Sequence, residues 1–148
     1  MVTGFQGVRV EEKQMPQQAL VKDYMASQLI TFKENDSISH AANTLIYKNI
    51  SGAPVVDDDN NLVGIISEGD CLKQVIKGKY NNEPHLSGTV GDHMIKEVIT
   101  LGPEVTIFDA ALAFLEKKVR RFPIIENGKL IGQISQRDVM KALDERQR

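Results

Sequence analysis

Two short strings in the chain set a hydroxyl and a carboxylate three residues apart: Ser67 and Asp70 within Gly64–Asp70, and Ser135 and Asp138 within Gly132–Asp138. Each pair follows an apolar, strand-like run and precedes a helical pattern. Both groups therefore fall in the first turn of a helix, beside backbone amides that have no partner within that helix. Amides at a helix start attract phosphate, and a serine hydroxyl adds a hydrogen bond to it. A carboxylate in the same place suits a ribose diol, the role an acidic residue has in dinucleotide-binding folds. The combination fits a nucleoside phosphate. The same spacing is also that of a capping box, in which the serine and the acidic residue satisfy only the helix's own amides. Duplication copies a cap as faithfully as a binding site, so the recurrence alone leaves both readings open.

The recurrence extends far beyond these strings. Val21, Asp23 and Met25 return as Val90, Asp92 and Met94, Ile30-Thr31 as Ile99-Thr100, and Pro54 as Pro123. The spacing between copies is constant up to the prolines and then shortens by one residue, between Asp57–Asn61 and Glu126–Lys129. Length changes are tolerated best at loop tips, so this slip marks a hairpin turn. In the second copy the turn contains Asn127-Gly128, a pair suited to positive φ at both positions.

The elements that must position the motifs are legible in each copy. A short helix over Leu20–Met25, matched by Val90–Ile95, precedes an extended piece at Leu29–Thr31 and Val98–Thr100. Ile38, Ala41, Ala42, Leu45 and Ile46 then fall on one helical stripe, and Ile107, Ala110, Ala111, Phe114 and Leu115 repeat it position for position. Ser37 and Thr106 stand where N-caps belong. Strands at Ala53–Val56 and Leu62–Ile66, and at Phe122–Ile125 and Leu130–Ile134, lead to closing helices over Cys71–Lys77 and Val139–Glu145. The expected class is α+β, with two β-α-β-β-α repeats packed around a pseudo-two-fold axis. Residues 19–78 and 89–148 form the repeats. Residues 1–18 read as a loose N-terminal arm with a strand over Gly7–Val10, and 79–88, rich in Gly, Asn and Pro, as a linker.

Composition narrows the function classes. Of 148 residues, 41% are hydrophobic and 26% charged, and a net charge of −2 gives no electrostatic footprint for nucleic acid. A single cysteine fits a reducing compartment. No run approaches the roughly 18 apolar residues of a membrane span, and the opening residues lack a signal-peptide pattern. The expectation is a cytoplasmic protein with neither membrane nor nucleic-acid partner. Cys71 has no base at a supporting spacing, and His40, His85 and His93 are too scattered to hold a metal. Asp57–Asn61 lacks the rest of a calcium loop. No catalytic set emerges.

The order Thr31, then Gly52-Ala53-Pro54-Val55-Val56-Asp57, then Gly64–Asp70 resembles a CBS (cystathionine-β-synthase) motif. Thr100, Arg121–Glu126 and Gly132–Asp138 resemble a second, and the tandem is similar to a stand-alone Bateman module. The resemblance implies paired repeats that bind adenosine derivatives in clefts between them. It implies ribose-binding aspartates at Asp70 and Asp138, and hydroxyl contacts from Ser67 and Ser135. It also implies borders to base and ribose at Ile30-Thr31 and Ile99-Thr100, and base-pocket walls at Ala53-Pro54 and Phe122-Pro123.

The copies differ in charge. Arg120, Arg121 and Arg137 surround the second motif, where the first has Ser51, Gly52 and Gly69, with Glu68 alongside. Arginine binds phosphate in bidentate fashion, so the second cleft is expected to dominate, with Arg121 or Arg137 on phosphate. Arg120 and Arg121 as solvated loop residues are the alternative. The expected ligand is AMP, ADP or ATP, with S-adenosylmethionine and NAD as further candidates. The expected function is a non-catalytic sensor, homodimeric, that signals occupancy to an unknown effector protein. The alternative is a dimerising adaptor without ligand binding.

Overall fold

The computed structural model describes residues 2–5, 19–80 and 86–146. In chain order its elements are β1 (Val2–Phe5), α1 (Val21–Tyr24), α2 (Ile38–Lys48), β2 (Gly52–Val56), β3 (Leu62–Ser67) and α3 (Glu68–Tyr80). The second half supplies α4 (Val90–His93), β4 (Val98–Leu101), α5 (Ile107–Lys117), β5 (Arg121–Glu126), β6 (Lys129–Ser135) and α6 (Gln136–Arg146). The fold is α+β. The strand expected at Gly7–Val10 lies outside the described residues, and β1 precedes it.

Two compact units form, and their boundaries cut across the repeats. Among the described residues, 30–80 and 86–98 build one, while 3–5, 19–29 and 99–146 build the other. Each unit thus takes its one-turn leading helix from the opposite repeat: α4 belongs to the first unit and α1 to the second. In the first unit β2 and β3 form an antiparallel pair. The short extended piece before α2 contributes only a parallel bridge between Phe32 and Val55. In the second unit the equivalent piece is a true strand, and the sheet order is β1-β4-β5-β6.

The recurring Val-Asp-Met residues have separate jobs in this docking. Val21 and Val90 are fully buried. Asp23 and Asp92 accept hydrogen bonds from the Leu20 and Thr89 amides, both at 3.2 Å, closing the first turn. That amide holds the Asp92 carboxyl below the usual carboxylate range. Met25 and Met94 lie over the glycines that open the two motifs: a Cβ at Gly132 would meet Met25 Sδ at 2.4 Å and the Ala26 carbonyl at 2.9 Å, and one at Gly64 the Met94 Sδ at 2.7 Å and the Ile95 carbonyl at 2.8 Å. The close approach is fixed by reciprocal backbone bonds, Ala26 with Gln133 and Ile65 with Ile95. A thioether can move aside; a carbonyl held by two ladder bonds cannot. Gly132→Ala and Gly64→Ala are each expected to cost about 1–3 kcal/mol through overpacking, measured by thermal or denaturant unfolding.

The helix stripes are rotated relative to the sequence pattern. Ile38, Ala41, Ala42 and Leu45 are buried, as are Ile107, Ala110 and Phe114, but Ile46 is 76% and Leu115 78% exposed. The eighth residue after the first stripe position lies about 80° round the helix from it. The buried arc extends the other way, taking in Ala113, which is fully buried. The N-caps form as expected: Ser37 Oγ accepts from the His40 amide at 3.0 Å, and Thr106 Oγ1 from that of Asp109 at 3.1 Å. Asn127 and Gly128 both have positive φ, 54° and 80°, at the turn where the repeats differ in length.

Candidate functional site

In the second unit, β6 ends at Ser135 and α6 begins at the next residue. The first turn of α6 is closed by a capping box: Asp138 Oδ2 accepts from the Ser135 amide at 2.9 Å, and Ser135 Oγ accepts from the Asp138 amide at 3.1 Å. The Gln136 amide donates to the Arg120 carbonyl. Of these first amides, that of Arg137 has no partner among the described residues. The antiparallel ladder sets Arg121 directly opposite Ser135 and Phe122 opposite Ile134. On the other side of β5 runs β4, parallel and in register through Leu101 and Ile124. Ile99-Thr100, Arg121–Pro123 and Ser135–Asp138 therefore occupy three adjacent strands and the helix that follows them.

The side chains in this set divide by exposure. Ser135, Asp138, Arg121 and Ile99 are half-buried, and Arg137 is exposed. Thr100 is buried. Phe122 and Pro123 are fully buried, and the Phe122 ring lies 4.6 Å from that of Phe114, so the side chain belongs to the core.

The first unit repeats the backbone plan with different chemistry. Gly52 stands opposite Ser67, and Ala53 and Pro54 opposite Ile66 and Ile65. The Phe32 amide donates to the Pro54 carbonyl, which places Ile30-Thr31 at the edge of β2. Here the box is closed more tightly. Asp70 Oδ2 accepts from both the Ser67 amide, at 2.9 Å, and the Ser67 hydroxyl, at 2.8 Å. Asp70 is buried and Thr31 is exposed, the reverse of the more open Asp138 and the buried Thr100. Gly52 cannot supply what Arg121 supplies, and a Cβ there would lie 3.0 Å from the Ile66 carbonyl.

Both motifs are helix caps. A carboxylate has about four acceptor positions, and Oδ2 alone serves the cap. The other oxygen, Oδ1, accepts no hydrogen bond in either motif among the described residues. Capping and ligand binding are therefore compatible in one side chain.

The other candidates do different work. The Cys71 thiol is buried, and desolvation with the neighbouring Asp70 charge raises its pKa, which keeps it protonated and poorly nucleophilic. Asp57 Oδ1 accepts from the amides of Asp59 and Asn61, so this carboxylate shapes the hairpin tip. Among the described residues no three His, Cys, Asp or Glu side chains could hold a metal ion, and no helix is long and apolar enough to cross a membrane.

A tandem of strand-helix motifs with Ser-x-x-Asp caps defines the class, and comparison with known proteins agrees. Residues 21–77 and 90–145 match the CBS domain, and the chain belongs to that family as a CBS pair. An uncharacterized protein of Methanocaldococcus jannaschii, MJ1225, is 32% identical over 123 residues, covering 83% of this chain; the chain spans only 42% of that relative's length. The crystal structure of CBSX2 in complex with AMP has 31% identity and a TM-score of 0.77, covering 88% of this chain and 99% of that one. The CBS pair of protein MJ0100, solved with 5-methylthioadenosine and S-adenosyl-L-methionine, has 27% identity and a TM-score of 0.69, again covering 88% and 99%.

Proposed function

We propose that the chain is a non-catalytic regulatory module that binds an adenine nucleotide of the AMP, ADP or ATP type and signals its occupancy to an effector protein. The observation that carries this is the half-exposed Asp138, with Oδ1 unoccupied by the cap and Arg121 across the ladder from Ser135. Asp138 would hold the ribose hydroxyls. Ser135 and the Arg137 amide would approach ribose or phosphate, and the Arg121 or Arg137 guanidinium would meet phosphate. The Ser67–Asp70 site, with its carboxylate buried and Gly52 where the other has Arg121, would be the weaker one. The AMP complex of CBSX2 supports this ligand class. S-adenosylmethionine, seen with MJ0100, is its nearest competitor.

The closed Ser67–Asp70 box favours a second reading, a dimerising adaptor whose motifs serve only as caps. Scanning fluorimetry with AMP, ADP, ATP, S-adenosylmethionine and NAD separates the two. A rise in melting temperature with one ligand supports the sensor, because a ligand that binds only the native state stabilises it. No shift with any at millimolar concentration supports the adaptor.

Both readings include a homodimer. Ile46 and Tyr47 on α2, Leu72 and Ile76 on α3, and Leu115 on α5 are large apolar side chains left exposed, and a second copy would cover them. Sedimentation at micromolar concentration is expected to give twice the chain mass. A species of 16.5 kDa with and without nucleotide would refute the dimer.

A further inference from the structure

Each unit leaves apolar side chains in water on its two long helices, at places the repeat makes equivalent. Ile46 on α2 and Leu72 on α3 are exposed in the first unit. Their counterparts, Leu115 on α5 and Met140 on α6, are exposed in the second. The outward row on α3 is Leu72 and Ile76, one turn apart and opposite the buried Gln74. On α6 the same row is Met140 and Asp144, opposite the fully buried Ala142. In both units the two helices pack against each other. Large apolar side chains exposed at matching places in two copies mark contact surfaces rather than scatter.

Outside the first turns of these helices, the exposed described positions of the two faces differ in charge in one direction. Tyr47, Ile76 and Lys77 on the first correspond to Glu116, Asp144 and Glu145 on the second. Lysine holds matching places on both, Lys48 with Lys117 and Lys73 with Lys141. The first face thus presents Lys48, Lys73 and Lys77. Glu68, in the first turn of α3, is its one exposed acid among the described residues. The second presents Glu116, Asp144 and Glu145 beside Lys117, Arg137 and Lys141. Pairing like with like would gather both copies of the first face's three lysines around one apolar seam without matching acids. Pairing unlike faces sets those lysines against carboxylates instead. Charge selects the partner face, and the apolar side chains supply the surface to bury.

We propose that the α2/α3 face of one chain docks on the α5/α6 face of a second copy, and the reverse, with Lys73 and Lys77 toward Glu116 and Asp144. This specifies which faces meet in the homodimer proposed above, and it rests on that reading. Sedimentation equilibrium of the full chain at physiological ionic strength tests it. An exposed ion pair contributes little alone, but a reciprocal contact counts each one twice. Lys73→Glu with Lys77→Glu is expected to raise the dimer dissociation constant about tenfold, as is Glu116→Lys with Asp144→Lys. Glu145 is left unaltered, because its carboxylate accepts from the Tyr24 hydroxyl at 2.9 Å. All four changes in one chain recreate opposite charges across the contact, and that variant is expected to return to the wild-type affinity. Lysine and glutamate are both good helix formers, and circular dichroism checks that each variant folds. Pairing of like faces predicts otherwise: the first pair of changes merely exchanges facing lysines for facing glutamates, and affinity stays level. A dimer indifferent to either charge reversal, or one that the fourfold variant fails to restore, overturns the unlike contact and leaves the homodimer standing. A wild-type chain that sediments at 16.5 kDa overturns both.

Discussion

Asp138→Ala is expected to weaken adenine-nucleotide binding about 10- to 100-fold, because a hydrogen bond to a charged group contributes roughly 1.5–3 kcal/mol. The same substitution removes the N3 partner of the α6 capping box, so a loss of stability comes with it. Asp138→Asn separates the two effects: an amide oxygen can still accept from the Ser135 amide, whereas the negative charge offered to ribose is gone. Calorimetry on both variants should find the affinity loss in each and the larger stability loss only in alanine. Asp70→Ala should cost less affinity, since its carboxylate is buried and both Ser67 donors are already satisfied on Oδ2. Arg121→Ala should hurt ATP or AMP more than adenosine. Asp70→Ala abolishing binding while Asp138→Ala leaves it intact would reverse the assignment. If neither mattered, both motifs would be caps and nothing more.

The second large effect falls on the core. Phe122→Ala is expected to cost about 3–5 kcal/mol, read as a lowered denaturation midpoint, because truncation leaves a cavity beside Phe114 that the sheet cannot collapse to fill. Phe122 is fully buried and tied by β5 to both neighbouring strands. A loss below 1 kcal/mol would mean that the Phe114–Phe122 pair is not the centre of this core. Nucleotide affinity measured well below the melting temperature should change less than in Asp138→Ala, since the ring contributes to packing rather than to the exposed motif.

Much of this architecture was legible because duplication exposes constraint. The stripe residues, the caps at Ser37 and Thr106, the Asn127-Gly128 turn and both Ser-x-x-Asp helix starts each follow from local chemistry repeated at fixed spacing. What local chemistry does not encode is which copy a segment docks on. Val21, Asp23 and Met25 read as the head of the first repeat, yet their burial is completed by Gly132 and Gln133 in the second. Ile46 and Leu115 sit on apolar stripes in sequence, but the direction of the buried arc is set by the sheet beneath the helix. In the candidate site, sequence identified the residue types but neither their unequal exposure nor the extra hydroxyl bond at Ser67, both of which are set by the surrounding fold.

The exchange of leading helices also imposes a timetable on synthesis. Domains fold as they leave the ribosome, from the N-terminus onward. α4 is made after β3, its docking strand, and can settle as soon as it emerges, so residues up to 98 suffice for the first unit. α1 emerges before any strand of its own unit except β1. Val21 and Met25 must wait, with apolar surface in water, until β6 has been translated. That interval separates the synthesis of the Leu20–Met25 turn from that of its docking strand by more than a hundred residues, so the second unit closes on a contact between the two ends of its sequence.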